Sequence, residues 1–162
     1  MKIYFASDHA GFETKNKLIE YLQQLGHDVE DCGAFIYDET DDYPDIISLA
    51  GRKLSSDVAA CKESVAIVAG ASGQGEAIVM NRFKGVRCMV YYGTTGTQVD
   101  VTGNTLGIVE SARQHNDANA LSLGLRFLSL EEAQQAVHTF IRTPFSGVDR
   151  HVRRIQKIDG IL

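Results

Sequence analysis

Short, β-branched apolar runs alternate with segments of helical period along the whole chain, and that alternation restricts the fold more than any other feature. Lys2–Ala6 (KIYFA) and Ser64–Ala69 (SVAIVA) are dominated by apolar residues, as expected of strands buried inside a parallel sheet. His27–Asp31, Val86–Tyr91 and a strand within Ala120–Phe127 bring the set to five. Between them, Phe12, Leu18, Ile19, Leu22 and Leu25 recur at helical spacing, with the Lys15 stem in the same stripe and Gly26 closing the helix. Pro44, preceded by Asp42 and Tyr43, opens a second helix carrying Ile46, Ile47, Leu49, Ala50 and Leu54. Further helices are expected over Glu76–Arg82, over Leu130–Thr143 behind a Ser129/Glu132 capping box, and over Asp149–Ile158. Parallel strands joined through helices need right-handed crossovers. The expectation is therefore one α/β domain over residues 1–162, doubly wound, with helices on both faces of a five-stranded parallel sheet. In such a sheet ligands bind beyond the carboxyl ends of the strands.

Composition narrows the function. The 162 residues fit a single domain of ordinary size, and no run approaches the ~18 apolar residues of a membrane span or forms a signal peptide. Three widely spaced cysteines, Cys32, Cys61 and Cys88, suit a reducing cytoplasm better than a disulfide framework. With no CxxC, no HExxH and no nucleotide fingerprint, the expectation is no metal and no cofactor. A formal charge of −5 argues against a nucleic-acid binder.

Polar turns leave strands one and three at the ligand-binding edge. Asp8 and His9 lie in the first. The second, Gly70-Ala71-Ser72-Gly73-Gln74-Gly75, is followed by Glu76 in the first turn of a helix. Its glycines read GxxGxG, neither a Rossmann fingerprint nor a P-loop, yet they leave backbone N–H groups free to cradle an anion. Glu76 beside that cradle is the arrangement that proton abstraction next to a carbonyl needs. A cap or a dipole-stabilised carboxylate explains each feature equally well in isolation. His115–Asn116–Asp117 follows Arg113 in a polar stretch read as a loop. Arg126 ends strand five, and Arg150 and Arg154 share a helix face suited to a phosphate or to plain solvation. Gly93–Gly107, rich in glycine and threonine, reads as a mobile lid or subunit-contact segment near the mouth of a site.

Taken together, Ser7-Asp-His-Ala-Gly11, Asp42-Tyr43-Pro44, Gly70-Ala-Ser-Gly-Gln-Gly-Glu76 with Asn81, His115-Asn-Asp-Ala-Asn119 and Arg150-His-x-x-Arg154 resemble the ribose-5-phosphate isomerase B family. The resemblance runs over nearly the whole chain in the same order. It implies a flavodoxin-like fold and a cytoplasmic, metal-independent aldose–ketose isomerase. It also implies a homodimer, often a tetramer, with the site shared between subunits and the C-terminal helix packed on the partner. Carried over by residue, Asp8 and His115 resemble the ring-opening pair, and Glu76 the base that acts through a cis-enediolate. Asn116 and the amides of Ala71–Gly75 resemble donors around the enediolate, and Gly70, Ala71, Gly73, Gln74 and Gly75 fall in the substrate-binding loop. Ser72 matches the loop hydroxyl, and Tyr43 the ring lining the pocket. His9, Arg126, Arg150 and Arg154 resemble the phosphate contacts. Many members carry a cysteine base where this chain has Gly70; it resembles instead the subgroup whose base is a loop glutamate. The interval from Asn81 to His115 is longer than the family spacing by about a dozen residues. Ribose 5-phosphate is the expected substrate. Galactose 6-phosphate, allose 6-phosphate, erythrose 4-phosphate and a non-catalytic sugar-phosphate-binding subunit are the alternatives.

Overall fold

The computed structural model describes residues 1–94 and 96–161; Thr95 and Leu162 lie outside the description. The strands are β1 (Lys2–Ser7), β2 (Asp28–Asp31), β3 (Ser64–Gly70), β4 (Cys88–Tyr91), β5 (Gln98–Val99), β6 (Thr105–Leu106) and β7 (Ala120–Gly124). The helices are α1 (Phe12–Gln24), α2 (Tyr43–Ala59), α3 (Gln74–Met80), α4 (Ile108–Asn116), α5 (Leu130–Arg142) and α6 (Asp149–Asp159). Five strands make one all-parallel sheet in the order β2-β1-β3-β7-β4. Along one face, α1, α4 and α5 pack Leu18, Leu22, Val109, Val137 and Phe140 on Ile3, Phe5, Ile67, Leu121 and Leu123. On the other, α2 and α3 cover Tyr4, Ala6, Ala66 and Val68 with Ile47, Ala50, Leu54 and Met80.

The doubly wound layering is the expected one. Its last two strands stand in exchanged places relative to the 2-1-3-4-5 order of flavodoxin itself. The chain leaves β4 at the edge and returns to insert β7 between β3 and β4. Burial explains the choice: every residue of β7 is buried, whereas three of the four residues of β4 are only partly so.

Two readings of the segment before β7 are corrected. Gly93–Gly107 is not a bare mobile loop, because β5 and β6 pair antiparallel within it and Leu106 is buried. The polar stretch around His115 is helical, forming the last turn of α4. Its apolar stripe is thin because a buried arginine completes it. Arg113 stacks on the Phe140 ring at 5.1 Å, donates to the Thr143 carbonyl at 3.0 Å and also bonds the Ala118 carbonyl. A guanidinium with satisfied donors packs like an aromatic plate but reads as polar in sequence.

Lys15, placed in the α1 stripe by its stem, is fully buried. Its ammonium donates to Asp31 Oδ2 at 2.5 Å and to the Ala34 carbonyl at 2.9 Å, while Asp31 Oδ1 accepts from Gly33 N at 2.9 Å. This cluster fastens the segment leaving β2, which leads to Asp41 and Tyr43. Asp31→Ala strands the ammonium inside the protein and should destabilise it by about 3 kcal/mol. Chemical denaturation checks this as a lowered midpoint at unchanged slope; an unaltered midpoint would mean that water replaces the carboxylate.

Candidate active site

The parallel register sets Ser7 opposite Ala69, and Gly70 opposite Gly124. The turns that leave β1, β3 and β7 therefore open on one edge of the sheet. Asp8, buried at 7% exposure, caps the following turn by accepting from Ala10 N at 3.1 Å. The β3 turn is fixed to β7: Leu125 N donates to the Gly70 carbonyl at 2.9 Å, Arg126 N to that of Ala71 at 3.0 Å, and Ser122 Oγ to that of Gly73 at 2.6 Å. Gly73 has φ +74°, and a β-carbon there would lie 2.9 Å from Gly124 N, so glycine is required twice over. Gly75 lies against the Tyr43 ring, which a β-carbon would meet at 2.7 Å.

Glu76 is buried at 4% exposure in the first turn of α3, its carboxylate lying on the bare Cα of Gly70. A β-carbon at residue 70 would stand 1.8 Å from Glu76 Oε1, so a loop cysteine and a carboxylate in this pose exclude each other. Burial raises the Glu76 carboxyl above its ordinary range; its own backbone N–H opposes this, and the Asp8 charge adds to it. Asp8 is likewise raised, first by burial and then by Asp41, with His9 pulling the other way. Glu76 thus sits in the field of the Asp8 charge, and two buried acids this close disfavour being ionised together.

His9 is set by a residue that the sequence did not single out. Asp41 accepts from His9 N at 3.0 Å and lies 2.6 Å from His9 Nδ1, which raises the imidazole above its ordinary range despite partial desolvation. Asp8, His9 and Asp41 bring ligand-type atoms within 4.8 Å of one another. A metal would need the Nδ1 lone pair, and the contact with Asp41 favours a proton there instead. The cluster is built to keep a cation.

Of the expected site residues, the structure brings together Asp8, His9, Tyr43, Gly70, Ala71, Ser72, Gly73, Gln74, Gly75, Glu76 and Arg126 at the carboxyl edge. His115 and Asn116 end α4, which precedes β7, and so lie toward the amino edge, roughly 13 Å away along β7 at ~3.3 Å per residue. Arg87, just before β4, ties this edge down: it donates to the Asn116 and Asp117 carbonyls at 3.1 and 3.0 Å and pairs with Asp159 of α6 at 3.2 Å. Arg150 and Arg154 belong to α6 and join that second cluster, where Arg150 donates to His151 at 3.0 Å and the His151 ring lies 4.4 Å from that of His115. One chain thus presents two separate clusters of the expected site residues.

A model of the ribose/galactose isomerase family matches residues 3–158. The ribose-5-phosphate isomerase B of Mycolicibacterium paratuberculosis is 39% identical over 96% of this chain and 87% of its own length. That of Mycobacterium tuberculosis is 37% identical over 96% and 86%. Among solved structures, the Mycoplasma genitalium ribose-5-phosphate isomerase B with bound ribulose-5-phosphate superposes with a TM-score of 0.84 at 31% identity, covering 99% of this chain and 95% of that one. The type B enzyme of Trypanosoma cruzi gives 0.81 at 31% identity, covering 99% and 95%.

The contact between Gly70 and Glu76 can be tested without a substrate. In Gly70→Ala the methyl group displaces the carboxylate toward water, and the Glu76 titration should fall back toward that of an ordinary glutamate. Carboxyl-carbon NMR over a pH series checks this; a titration that does not move would show that burial elsewhere sets it.

Proposed function

We propose, for a chain that belongs to the ribose/galactose isomerase family, that it interconverts an aldose phosphate and its ketose, ribose 5-phosphate and ribulose 5-phosphate. The observation that carries this reading is the buried Glu76 carboxylate on the bare Gly70 Cα, close enough to Asp8 to feel its charge. A carboxylate raised toward the working pH is a competent base for a carbon acid, which an ordinary glutamate is not.

In this reading Asp8 acts as the acid of ring opening and gives a proton to the furanose ring oxygen. His115 takes the C1 hydroxyl proton, the bond from C1 to the ring oxygen breaks, and the C1 aldehyde forms. Glu76 then removes the C2 proton, leaving the negative charge on O1 against the amides of residues 71–75 and Asn116. The Ser72 hydroxyl relays the O2 proton to O1. Glu76 returns its proton to C1, and the ketose is complete. Tyr43 walls the pocket. His9, held cationic by Asp41, grips the phosphate with Arg126, Arg150 and Arg154, so that remote binding aligns the reacting end.

His115 and Glu76 belong to different half-sites, so the same reading makes the working unit at least a dimer in which each copy completes the other's site. Further support comes from the sheet edge. Beside β4, Ile78 is 59% exposed and lines, with Val90 and Ala77, a groove of about 520 Å³. Apolar surface along an unshielded edge strand suits a subunit contact. On α6, Ile158 is exposed as well and is available to a partner. No helix among the described residues is long and apolar enough to cross a membrane.

Glu76→Gln should reduce kcat by at least about a thousandfold with little change in KM, because it removes the base and keeps the shape. Stability should move the other way. A carboxyl whose folded pKa lies above its unfolded one loses native-state stability as pH rises through the unfolded value toward the folded one. The glutamine variant should therefore melt higher than the parent at pH 7 and no higher near pH 3; a fall in both activity and melting temperature would point to a structural role. Sharing of the site has its own test. When inactive Glu76→Gln and His115→Gln proteins are dissociated and remixed, half the dimers are hybrids with one intact site each. About a quarter of the parental turnover should return; no recovery on confirmed hybrid formation would place each site within one chain.

A further inference from the structure

The hairpin β5–β6 lies in the interval 93–107 between β4 and α4, and its tip reaches the second half-site. Gln98 Nε2 donates to Ser111 Oγ at 2.5 Å, pinning the hairpin to α4 one helical turn before His115. Two residues on, Asp100 uses its two carboxylate oxygens differently. Oδ1 builds the tip, accepting from Thr102 N at 2.8 Å, Thr102 Oγ1 at 2.6 Å and Asn104 N at 3.0 Å. Oδ2 faces the imidazole, 4.0 Å from His115 Nε2. We infer that Asp100 is a positioning residue for His115, an anion held on its Nε2 side so that Nδ1 is the nitrogen that takes the sugar's C1 hydroxyl proton. The inference rests on the ring-opening role proposed above for His115.

The other neighbours of the imidazole leave this task to Asp100. The His151 ring lies against it with centroids 4.4 Å apart. Ser146 Oγ donates to the Gln114 carbonyl at 2.6 Å, so it accepts from His151 Nδ1–H at 3.0 Å, and Arg150 Nε donates to His151 Nε2 at 3.0 Å. Those bonds fix His151 as a neutral ring with both nitrogens engaged. Burial, His115 and the α6 arginines 150 and 154 lower its pKa in agreement. The nearby charges from α6 are thus cationic, and the hairpin supplies the anion. Asp100 itself stays ionised, since the Thr102 hydroxyl and the tip amides hold its carboxyl down at about 2. A carboxylate behind one imidazole nitrogen selects the tautomer protonated there and leaves the other nitrogen basic, while opposing rotation of the ring.

The two oxygens make the test clean. Asp100→Asn keeps a carbonyl oxygen for the three tip bonds and replaces the anion facing His115 with a neutral amide. Two readouts separate ring opening from enolisation: turnover of ribose 5-phosphate, which starts from the closed ring, and solvent deuterium exchange at C1 of ribulose 5-phosphate, which is open-chain and bypasses the ring-opening pair. In Asp100→Asn the first should fall at least about tenfold in kcat at nearly unchanged KM, with the second within about twofold of the parent. His115→Gln should show the same split, more deeply. If His115→Gln splits the readouts and Asp100→Asn does not, the inference is overturned and the proposed role of His115 stands. If His115→Gln lowers both readouts equally or neither, the ring-opening reading fails and takes this inference with it. Asp100→Ala, which removes tip and anion together, is the remaining control: activity lost in Ala but kept in Asn would make Asp100 a turn residue only.

Discussion

The parallel register of β1, β3 and β7 is the constraint on which the rest depends. It levels Ser7 with Ala69 and Gly70 with Gly124, so three turns that are far apart in sequence leave the sheet side by side. The β3 turn is then hydrogen-bonded to β7 and its exit, through the backbone of Leu125 and Arg126 and the Ser122 hydroxyl. A slip of one residue would turn every β3 side chain to the opposite face and lift the glycine turn away from Asp8. The two apolar layers hold that register, and the site inherits its rigidity from them.

Within the rigid frame the chemistry depends on missing atoms. Gly70 supplies no β-carbon, and the space goes to the Glu76 carboxylate; Gly73 and Gly75 let the loop approach β7 and the Tyr43 ring. Burial of an acid in that space is unfavourable to folding, and its raised pKa expresses that cost. Asp8 next to it deepens the effect, while Asp41 on the far side of His9 balances charge by keeping a cation in the cluster. Glu76, Asp8, His9 and Asp41 therefore form one electrostatic unit, in which each charge shifts its neighbour.

Much of this was open to reading from the chain. The five strands of the parallel sheet, five of the six helices among the described residues and the turns at Asp8 and Gly70 carry periodicities and capping residues that act locally, so their sequence signals survive. α3 begins two residues earlier than its apolar residues suggest, because the glycine turn starts the helix. α4 escaped notice because Arg113 occupies a core position that sequence patterns assign to solvent. Asp41 and Asp100 escaped for a different reason: each acts on a histidine more than ten positions away along the chain, and an aspartate in a polar loop looks the same whether or not it faces one.

The amino-acid sequence by itself determined the layered α/β class, the order of the chemistry-bearing segments and the identity of the family, since apolar period, turn glycines and motif order are all properties of neighbours in the chain. Only the tertiary structure decided the exchange of β7 and β4, the packing of the β5–β6 hairpin on α4, and the separation of Glu76 from His115. Those depend on which of two strands buries more surface, and on the direction in which α4 runs before its chain enters the sheet. Spacing along a sequence carries no record of the sheet edge at which a residue will stand, and here the two candidate proton-transfer groups stand toward opposite ones.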